Sequence, residues 1–221
     1  MFRAGTELNY FEERNGKLLN KQASLWFSYS GTMQSNLYLR GWRTREAYKD
    51  AEFDLTYFLV QGGFWPTSNL QVNAATVFGD QIDYANTRLG KRFRLNPGLT
   101  YNIGRHLRLS FNHNYERMSV QDAHLYTANI SGLSAVYQFN VRAFFRAIVQ
   151  YVYYDYNPSN YTFEIESEYK RLFTQLLFSY KINPRIVLFI GYSDNSFGGD
   201  DFSLTQSDRT FFIKMGYAWV F

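Results

Sequence analysis

Apolar and polar side chains alternate with a period of two along nearly the whole chain. The clearest stretch is the last. Phe211, Ile213, Met215, Tyr217, Trp219 and Phe221 fall on one face; Phe212, Lys214, Gly216, Ala218 and Val220 fall on the other. Strict alternation over such a length predicts a strand between two different environments. The pattern recurs upstream. Leu172, Thr174, Leu176, Phe178 and Tyr180 oppose Arg171, Gln175 and Ser179. Ala143, Phe145, Ala147, Val149, Tyr151 and Tyr153 oppose Arg142, Arg146 and Gln150. Leu107, Leu109, Phe111 and Tyr115 oppose Arg108, Ser110 and Asn112, and Phe93, Leu95, Leu99 and Tyr101 oppose Arg92, Arg94 and Asn96. Leu70, Val72, Ala74 and Phe78 oppose Gln71 and Asn73; Phe53, Leu55, Tyr57 and Leu59 oppose Glu52, Asp54 and Thr56; Leu25, Phe27 and Tyr29 oppose Ser24, Trp26 and Ser28. Ile186 to Tyr192 is apolar on both faces, and Leu125 to Phe139 changes phase near Gly132, which predicts a bulge there.

The connections are expected to alternate in length. Short turns are predicted at Gly31-Thr32, Asn102 to Arg105, Phe139 to Val141 and Ile182 to Arg185, with a longer one over Gly62 to Pro66. Polar segments, expected as long loops, run from Glu12 to Asn20, Arg43 to Asp50, Gly79 to Asn86, Arg117 to His124, Asp155 to Glu166 and Ser193 to Ser207. About twelve strands result, an even number. Short turns on one side and long loops on the other are the pattern of an antiparallel barrel in a bacterial outer membrane, with the turns in the periplasm. The expected fold is therefore all-β: one transmembrane barrel domain over residues 1–221, or an incomplete piece of a larger barrel.

Composition sharpens this picture. Aromatic residues make up 20% of the 221, with Tyr 19 and Phe 21, against only Pro 4. Mean hydropathy is −0.36, and no run of about 18 apolar residues occurs, so no spanning helix is predicted. With Cys 0, disulfides, thiolate metal sites and Cys nucleophiles are excluded. A net charge of +4 is too mild for a dedicated nucleic-acid binder.

The C-terminus carries the most specific motif. Lys214, Gly216, Trp219 and Phe221 resemble the assembly signal of outer-membrane barrels: a polar residue, a glycine two later, then aromatic residues at the third-last and last positions. A strand edge with aromatic anchors can be captured by an assembly machine through β-augmentation. The N-terminus has no basic start, apolar stretch and cleavage site. It reads as a strand from its first residues, which predicts a mature form or the C-terminal piece of a longer protein. The stretches from Tyr137 to Tyr151, from Leu172 to Arg185 with Gly191 to Asn195, and from Gln206 to Trp219 resemble the C-terminal barrel of large bacterial surface proteins of unknown function. In that family the N-terminal part is a β-sandwich similar to family 9 carbohydrate-binding modules. The resemblance is closest over residues 135–221. It implies that the sandwich and some barrel strands are absent here, and no catalytic or sugar-binding residue is carried over.

Enzymatic chemistry finds little support. His106, His113 and His124 fall near a turn, on the lipid-facing phase and in an outer loop, so no metal site is expected from them. A barrel lipase would need a Ser beside a His, but His106 and Ser110 are about 13 Å apart along a strand. No G-x-S-x-G elbow occurs. The acidic stretch from Asp194 to Asp201 does not match an EF-hand loop. The sequence thus predicts no catalytic residue, no cofactor and no bound metal; an outer-membrane enzyme with a site at the barrel rim is the alternative reading. The inward phase is basic, with a cluster of Arg92, Arg94, Arg108, Arg142 and Arg146, joined by Arg3, Arg40, Arg88, Arg171 and Lys214. Inward acids are fewer: Glu7, Glu52, Asp54 and Glu116. Two uses follow. These side chains fill a narrow barrel with ion pairs, or they line an anion-preferring pore. The expected partners are outer-membrane lipid and lipopolysaccharide, the barrel assembly machinery and small anionic solutes.

Changing Phe221 to a charged residue should impair assembly in cells far more than the same change at Val220. A charge near the interface costs only about 0–1 kcal/mol in a finished barrel, so a large loss of heat-modifiable protein in outer-membrane fractions would report assembly. Equal folded amounts for both variants would remove the assembly reading.

Overall fold

The computed structural model describes residues 1–14, 16, 18–199 and 204–219. Twelve antiparallel strands form one sheet in chain order. They are β1 (Phe2–Glu12), β2 (Leu18–Ser30), β3 (Asn36–Tyr48), β4 (Ala51–Thr67), β5 (Leu70–Asp83), β6 (Arg88–Ile103), β7 (Leu107–Val120), β8 (Ala123–Asn140), β9 (Ala143–Tyr156), β10 (Glu168–Asn183), β11 (Ile186–Gly198) and β12 (Thr205–Tyr217). Every neighbouring pair is a hairpin, the up-and-down topology of a transmembrane β-barrel. Among the described residues, β1 and β12 share no ladder and are the two edges of the sheet.

The register carries one set of side chains along one face from strand to strand. Glu7 lies opposite Ser24, Ser24 opposite Trp42, and Arg40 opposite Leu59. The same face continues through Val77, Arg94, Glu116, Ala128, Tyr154 and Tyr169. Buried Ser24, Thr44, Leu55, Met118, Ala128 and Ser179 all lie on it, so this face is the interior of the barrel. The opposite face carries Phe58, Phe78, Phe93, Leu99, Phe111 and Leu133, all exposed. Large rings and aliphatic chains held open over so many strands form a patch far beyond what a water-soluble surface tolerates; the face is built for lipid. On β6 this band runs from Phe93 to Ile103, about 33 Å along the strand. With a strand tilt of about 40° its height is roughly 25 Å, the apolar thickness of an outer-membrane wall.

The two rims differ. At one, the outward face ends in aromatic residues: Phe2 against Tyr29 (4.8 Å between ring centres), Tyr137 against Phe139 (4.9 Å) and Tyr217 against Trp219 (5.2 Å). At the other, the outward face turns charged, with Lys21, Arg43, Arg45, Lys91, Arg117 and Arg209. Two hairpins of the aromatic rim are closed alike. Asn140 Oδ1 accepts from the amides of Arg142 (2.8 Å) and Ala143 (3.1 Å), and Asn183 Oδ1 accepts from those of Arg185 (2.9 Å) and Ile186 (3.0 Å). Both hairpins thus use one device, an Asn side chain closing an Asx turn over an Asn-x-Arg sequence. Pro184 presets the backbone of the second.

Several expectations are corrected. The segments from Arg43 to Asp50, Gly79 to Asn86 and Arg117 to His124 are mostly strand, closed by short connections. At Gln121-Asp122 both φ angles are positive (51° and 62°), the geometry of a tight two-residue hairpin turn that Asn-Gly ordinarily announces. Gly62 to Pro66 is not a turn; it lies inside β4, whose register shifts between Phe64 and Thr67. Gly132 pairs regularly on both sides, and the irregularities of β8 fall near its two ends instead. The phase of β4 is also reversed: Leu55, Tyr57 and Leu59 face inward, while Asp54 faces outward and pairs with Arg45 at 2.8 Å. The apolar row Leu55, Tyr57 and Leu59 hides this in the sequence, because it mimics a lipid-facing row and a step of one residue exchanges the faces.

Substituting Asn183 by Ala should leave the Arg185 and Ile186 amides short of an acceptor. The expected cost is about 1 kcal/mol, read as a lower urea midpoint of the detergent-folded protein, with Asn140→Ala giving a similar loss.

Candidate functional site in the lumen

The interior face sorts its charges by neighbour. Arg40 donates to Glu7 and, at 2.8 Å, to Ser24 Oγ. Arg94 pairs with Glu116, whose other oxygen accepts from Tyr126 at 2.6 Å. Arg88 pairs with buried Asp83 at 2.9 Å. Gln22 reaches across β3 to Tyr57 at 3.1 Å. These contacts brace one part of the wall, as the filled-barrel reading expects.

The remaining basic side chains have no such partner. Among the described residues, Arg92, Arg108, Arg146, Arg171 and Lys214 form no ion pair. The Nε atoms of Arg92 and Arg146 are buried without a hydrogen-bond acceptor. Arg146 uses an Nη to meet Gln175 Oε1 at 3.3 Å, and Arg171 meets Asn195 Oδ1 at 2.9 Å. Of the basic cluster read from the sequence, Arg92, Arg94, Arg108 and Arg146 share the lumen. Arg142 does not: it sits exposed in the turn after Asn140. The turn claims it because β9 begins only at Ala143. Glu52 and Asp54 leave the lumen with the reversed phase of β4, while Glu46, Asp83 and Asp208 lie on the inner face by register.

Between the arginines lies a cavity of about 400 Å³ lined by Asn73, Thr100, Ser110, Asn112, Ser134 and Gln150, with the Phe173 ring at its side. Two glycines keep it open. A Cβ on Gly98 would come within 2.8 Å of the Asn73 amide, and one on Gly132 within 2.2 Å of Asn112 Oδ1. The period-two pattern marked most of these positions as inward; it could not show that they converge, because six strands contribute.

At the charged rim, residues 157–167 between β9 and β10 fold inward. Pro158–Asn160 form a single 3₁₀ turn. Asn157 N donates to Leu125 O at 2.9 Å and Asn160 Nδ2 to His124 O at 2.7 Å. Arg88 donates to Asn160 O, and Thr162 donates through its amide (3.1 Å) and hydroxyl (2.7 Å) to Asn86 Oδ1. The Tyr161 ring packs on the buried cluster of Met118, Val120 and Leu125. Burial, and the neighbouring Tyr156, hold its phenol above the ordinary tyrosine range. The segment therefore spans from β9 to the β5–β6 connection and narrows this sector of the opening. Sequence reasoning placed a polar loop here and missed its inward course; Pro158 and the aromatic pair Tyr161 and Phe163 were the available hints.

The other sequence-derived candidates disperse. His106 lies in the β6–β7 turn, not on a strand, with Nδ1 2.6 Å from Gln138 O. His113 is on the apolar face, 2.8 Å from Ser131 Oγ. His124 belongs to β8 rather than a loop and meets Thr127 Oγ1 at 2.9 Å. Among the described residues no cluster of His, Asp or Glu is arranged to hold a metal. Asp194 lies in β11 and is engaged by Tyr192 and Arg209; Asp200 and Asp201 lie outside the described residues. Of the assembly motif, Lys214 and Gly216 are on the inner face of β12 and Trp219 is exposed beyond its end, with Ala218 N still bonded to Arg185 O at 2.9 Å. Phe221 lies outside the described residues.

No family model matches the sequence, and no curated protein matches it. Among solved structures, a NanC porin aligns over 99% of both chains with 11% identity and a TM-score of 0.39. OmpT, an outer membrane protein of Vibrio cholerae, aligns over 99% of this chain and 76% of its own, with 14% identity and a TM-score of 0.49.

Replacing Tyr161 by Ala should release the inward segment. Loss of one half-buried ring from the cluster costs on the order of 1–2 kcal/mol, which corresponds to roughly tenfold more of the open form. Chymotrypsin cleavage after Phe163 should accelerate accordingly, and an unchanged rate would show that the hydrogen bonds alone hold the segment.

Proposed function

We propose that this protein is a channel of the bacterial outer membrane whose lumen prefers anions. The observation that carries the reading is the set of inward arginines without carboxylate partners, Arg92, Arg146 and Arg171 foremost, beside a polar cavity. A desolvated guanidinium without an anion is costly, and a permeating anion supplies the missing charge. A lumen meant only to be filled would pair these groups, as it does Arg40 and Arg94.

The outward face supports the location. An apolar band of roughly 25 Å suits the outer membrane. The aromatic rim suits the periplasmic interface. The opposite girdle of Lys21, Arg43, Arg45, Lys91 and Arg117 stands where lipopolysaccharide phosphates would lie, and charge-assisted bonds to phosphate favour such a placement. Lys214, Gly216 and Trp219 suit capture by the barrel assembly machinery.

The protein folded into planar bilayers should conduct, and its reversal potential in a salt gradient should show anion preference. Substituting Arg92, Arg146 and Arg171 together by Gln should move the permeability ratio toward unity while the barrel still folds. Cation preference in the unsubstituted protein, or no conductance, would overturn the reading.

A further inference from the structure

Seven aromatic rings meet on the luminal wall between β8 and β11. Phe163 and Tyr161 of the inward segment are 5.4 Å apart, centre to centre, and Tyr161 is 6.0 Å from Tyr156. Tyr156 stacks on Tyr154 at 5.5 Å with only 6° between the planes, and Tyr126 lies 6.2 Å from Tyr156. Tyr154 continues to Tyr169 at 6.3 Å, and Tyr169 to Phe197 at 6.3 Å. The strand members all lie on the inner face by register, and all are half-buried, so ring surface remains open to the lumen. The Arg171 guanidinium stands over Phe197 at 5.3 Å.

Only part of the row serves the core: Tyr126 and Tyr161 pack on the buried cluster of Met118, Val120 and Leu125, and the other five rings are not among the residues packed against it. Nor does the row end blindly. Two residues before Tyr154 on the inner face is Val152, and two before that is Gln150 of the polar cavity; on β10, Tyr169 leads through Arg171 to Phe173 of the same cavity. Along β9 the path from Tyr156 to Gln150 is about 20 Å. An aromatic surface, a guanidinium with no carboxylate in contact and a set of neutral amides and hydroxyls therefore follow one another along one side of the passage.

We propose that this side of the lumen is a binding track for saccharides that carry an anionic group; the proposal rests on the channel reading above and gives it a solute class. The chemistry selects the ligand. Aromatic faces accept the C–H faces of a pyranose ring, whose buried apolar area they cover. The hydroxyls at the ring's edge need donors and acceptors of both kinds, which Asn73, Asn112, Gln150, Ser110 and Thr100 supply. The anionic group meets Arg171 or Arg146 through a charge-assisted hydrogen bond. A simple inorganic anion would use the arginines and leave the rings and amides idle. A neutral saccharide would use the rings and leave the arginines unpaired.

The test uses the full chain folded in detergent, with folding verified by heat-modifiable gel mobility. Calorimetric titration with glucuronate, glucose and propionate separates the terms, and the same preparations are recorded in planar bilayers. Glucuronate should bind about tenfold more tightly than either of the other two. Replacing Tyr154 and Tyr156 together by Ala should remove most of that advantage, and replacing both by Phe should keep it. Arg171→Gln should bring glucuronate down to glucose. Propionate binding as well as glucuronate would overturn the proposal, because charge alone would then suffice. So would undiminished glucuronate binding in Tyr154→Ala/Tyr156→Ala. Should that pair fail to fold, Arg171→Gln decides alone: an intact preference for glucuronate over glucose overturns the track. A folded protein that binds glucuronate as expected but carries no current would overturn the channel reading and leave the saccharide site standing.

Discussion

The backbone amide in hydrocarbon is the constraint on which this structure depends. Water is absent from the membrane core, so each N–H and C=O must find its partner inside the protein. A sheet of consecutive hairpins meets that demand ten strands deep, from β2 to β11, where each strand is laddered on both sides. Everything else follows from the pleat that such ladders impose. Side chains alternate sides, so each strand must be greasy toward lipid and free to be polar toward the lumen. The edges β1 and β12 are where the demand is unmet among the described residues, and there the side chains are most open: Leu8 is 81% exposed and Phe211 67%.

With lipid holding the outward face, the inward face is released from the need to be apolar. It divides into sectors. Around β1–β4, ion pairs and amide bridges knit neighbouring strands. Around β6–β8, Arg94, Glu116 and Tyr126 do the same beneath the inward segment of residues 157–167. From β8 to β11 the wall changes character: rings replace ion pairs, and arginines stand without acids. The sectors are fixed by register, since one hydrogen-bonded ladder sets which side chain faces which across four or five strands. The glycines opposite Asn73 and Asn112 make the polar cavity possible, because any larger side chain would occupy the place of those amides.

The fold was legible in the sequence because a period of two is read directly from the order of residues. Strand number, the outward band on β5 to β7, β9, β10 and β12 and the tight turns at Asn140 and Asn183 followed from it. What failed had physical causes. Strands run past the membrane into water, so polar composition at Arg117 to His124 said solvent exposure and not loop. The turn at Gln121-Asp122 uses residues that carry no φ preference strong enough to announce it. In β4 an apolar inward row, Leu55, Tyr57 and Leu59, mimicked a lipid-facing one, and the true outward row began with Asp54 above the membrane. For the site, the inward arginines were visible one strand at a time. Their lack of partners, the aromatic row and the inward course of residues 157–167 are properties of several strands together, and alternation carries no information about those.

The paired Asn-x-Arg turns have a consequence for how such a wall changes over generations. Two adjacent hairpins closed by the same side-chain device at the same rim are, mechanically, interchangeable units. Each carries its own closure and hands its neighbour a standard ladder edge. A duplication or deletion of one unit therefore leaves every other turn intact and alters only the girth of the cylinder. Selection can then tune barrel diameter in steps of one hairpin, separately from the chemistry that the retained strands display inside.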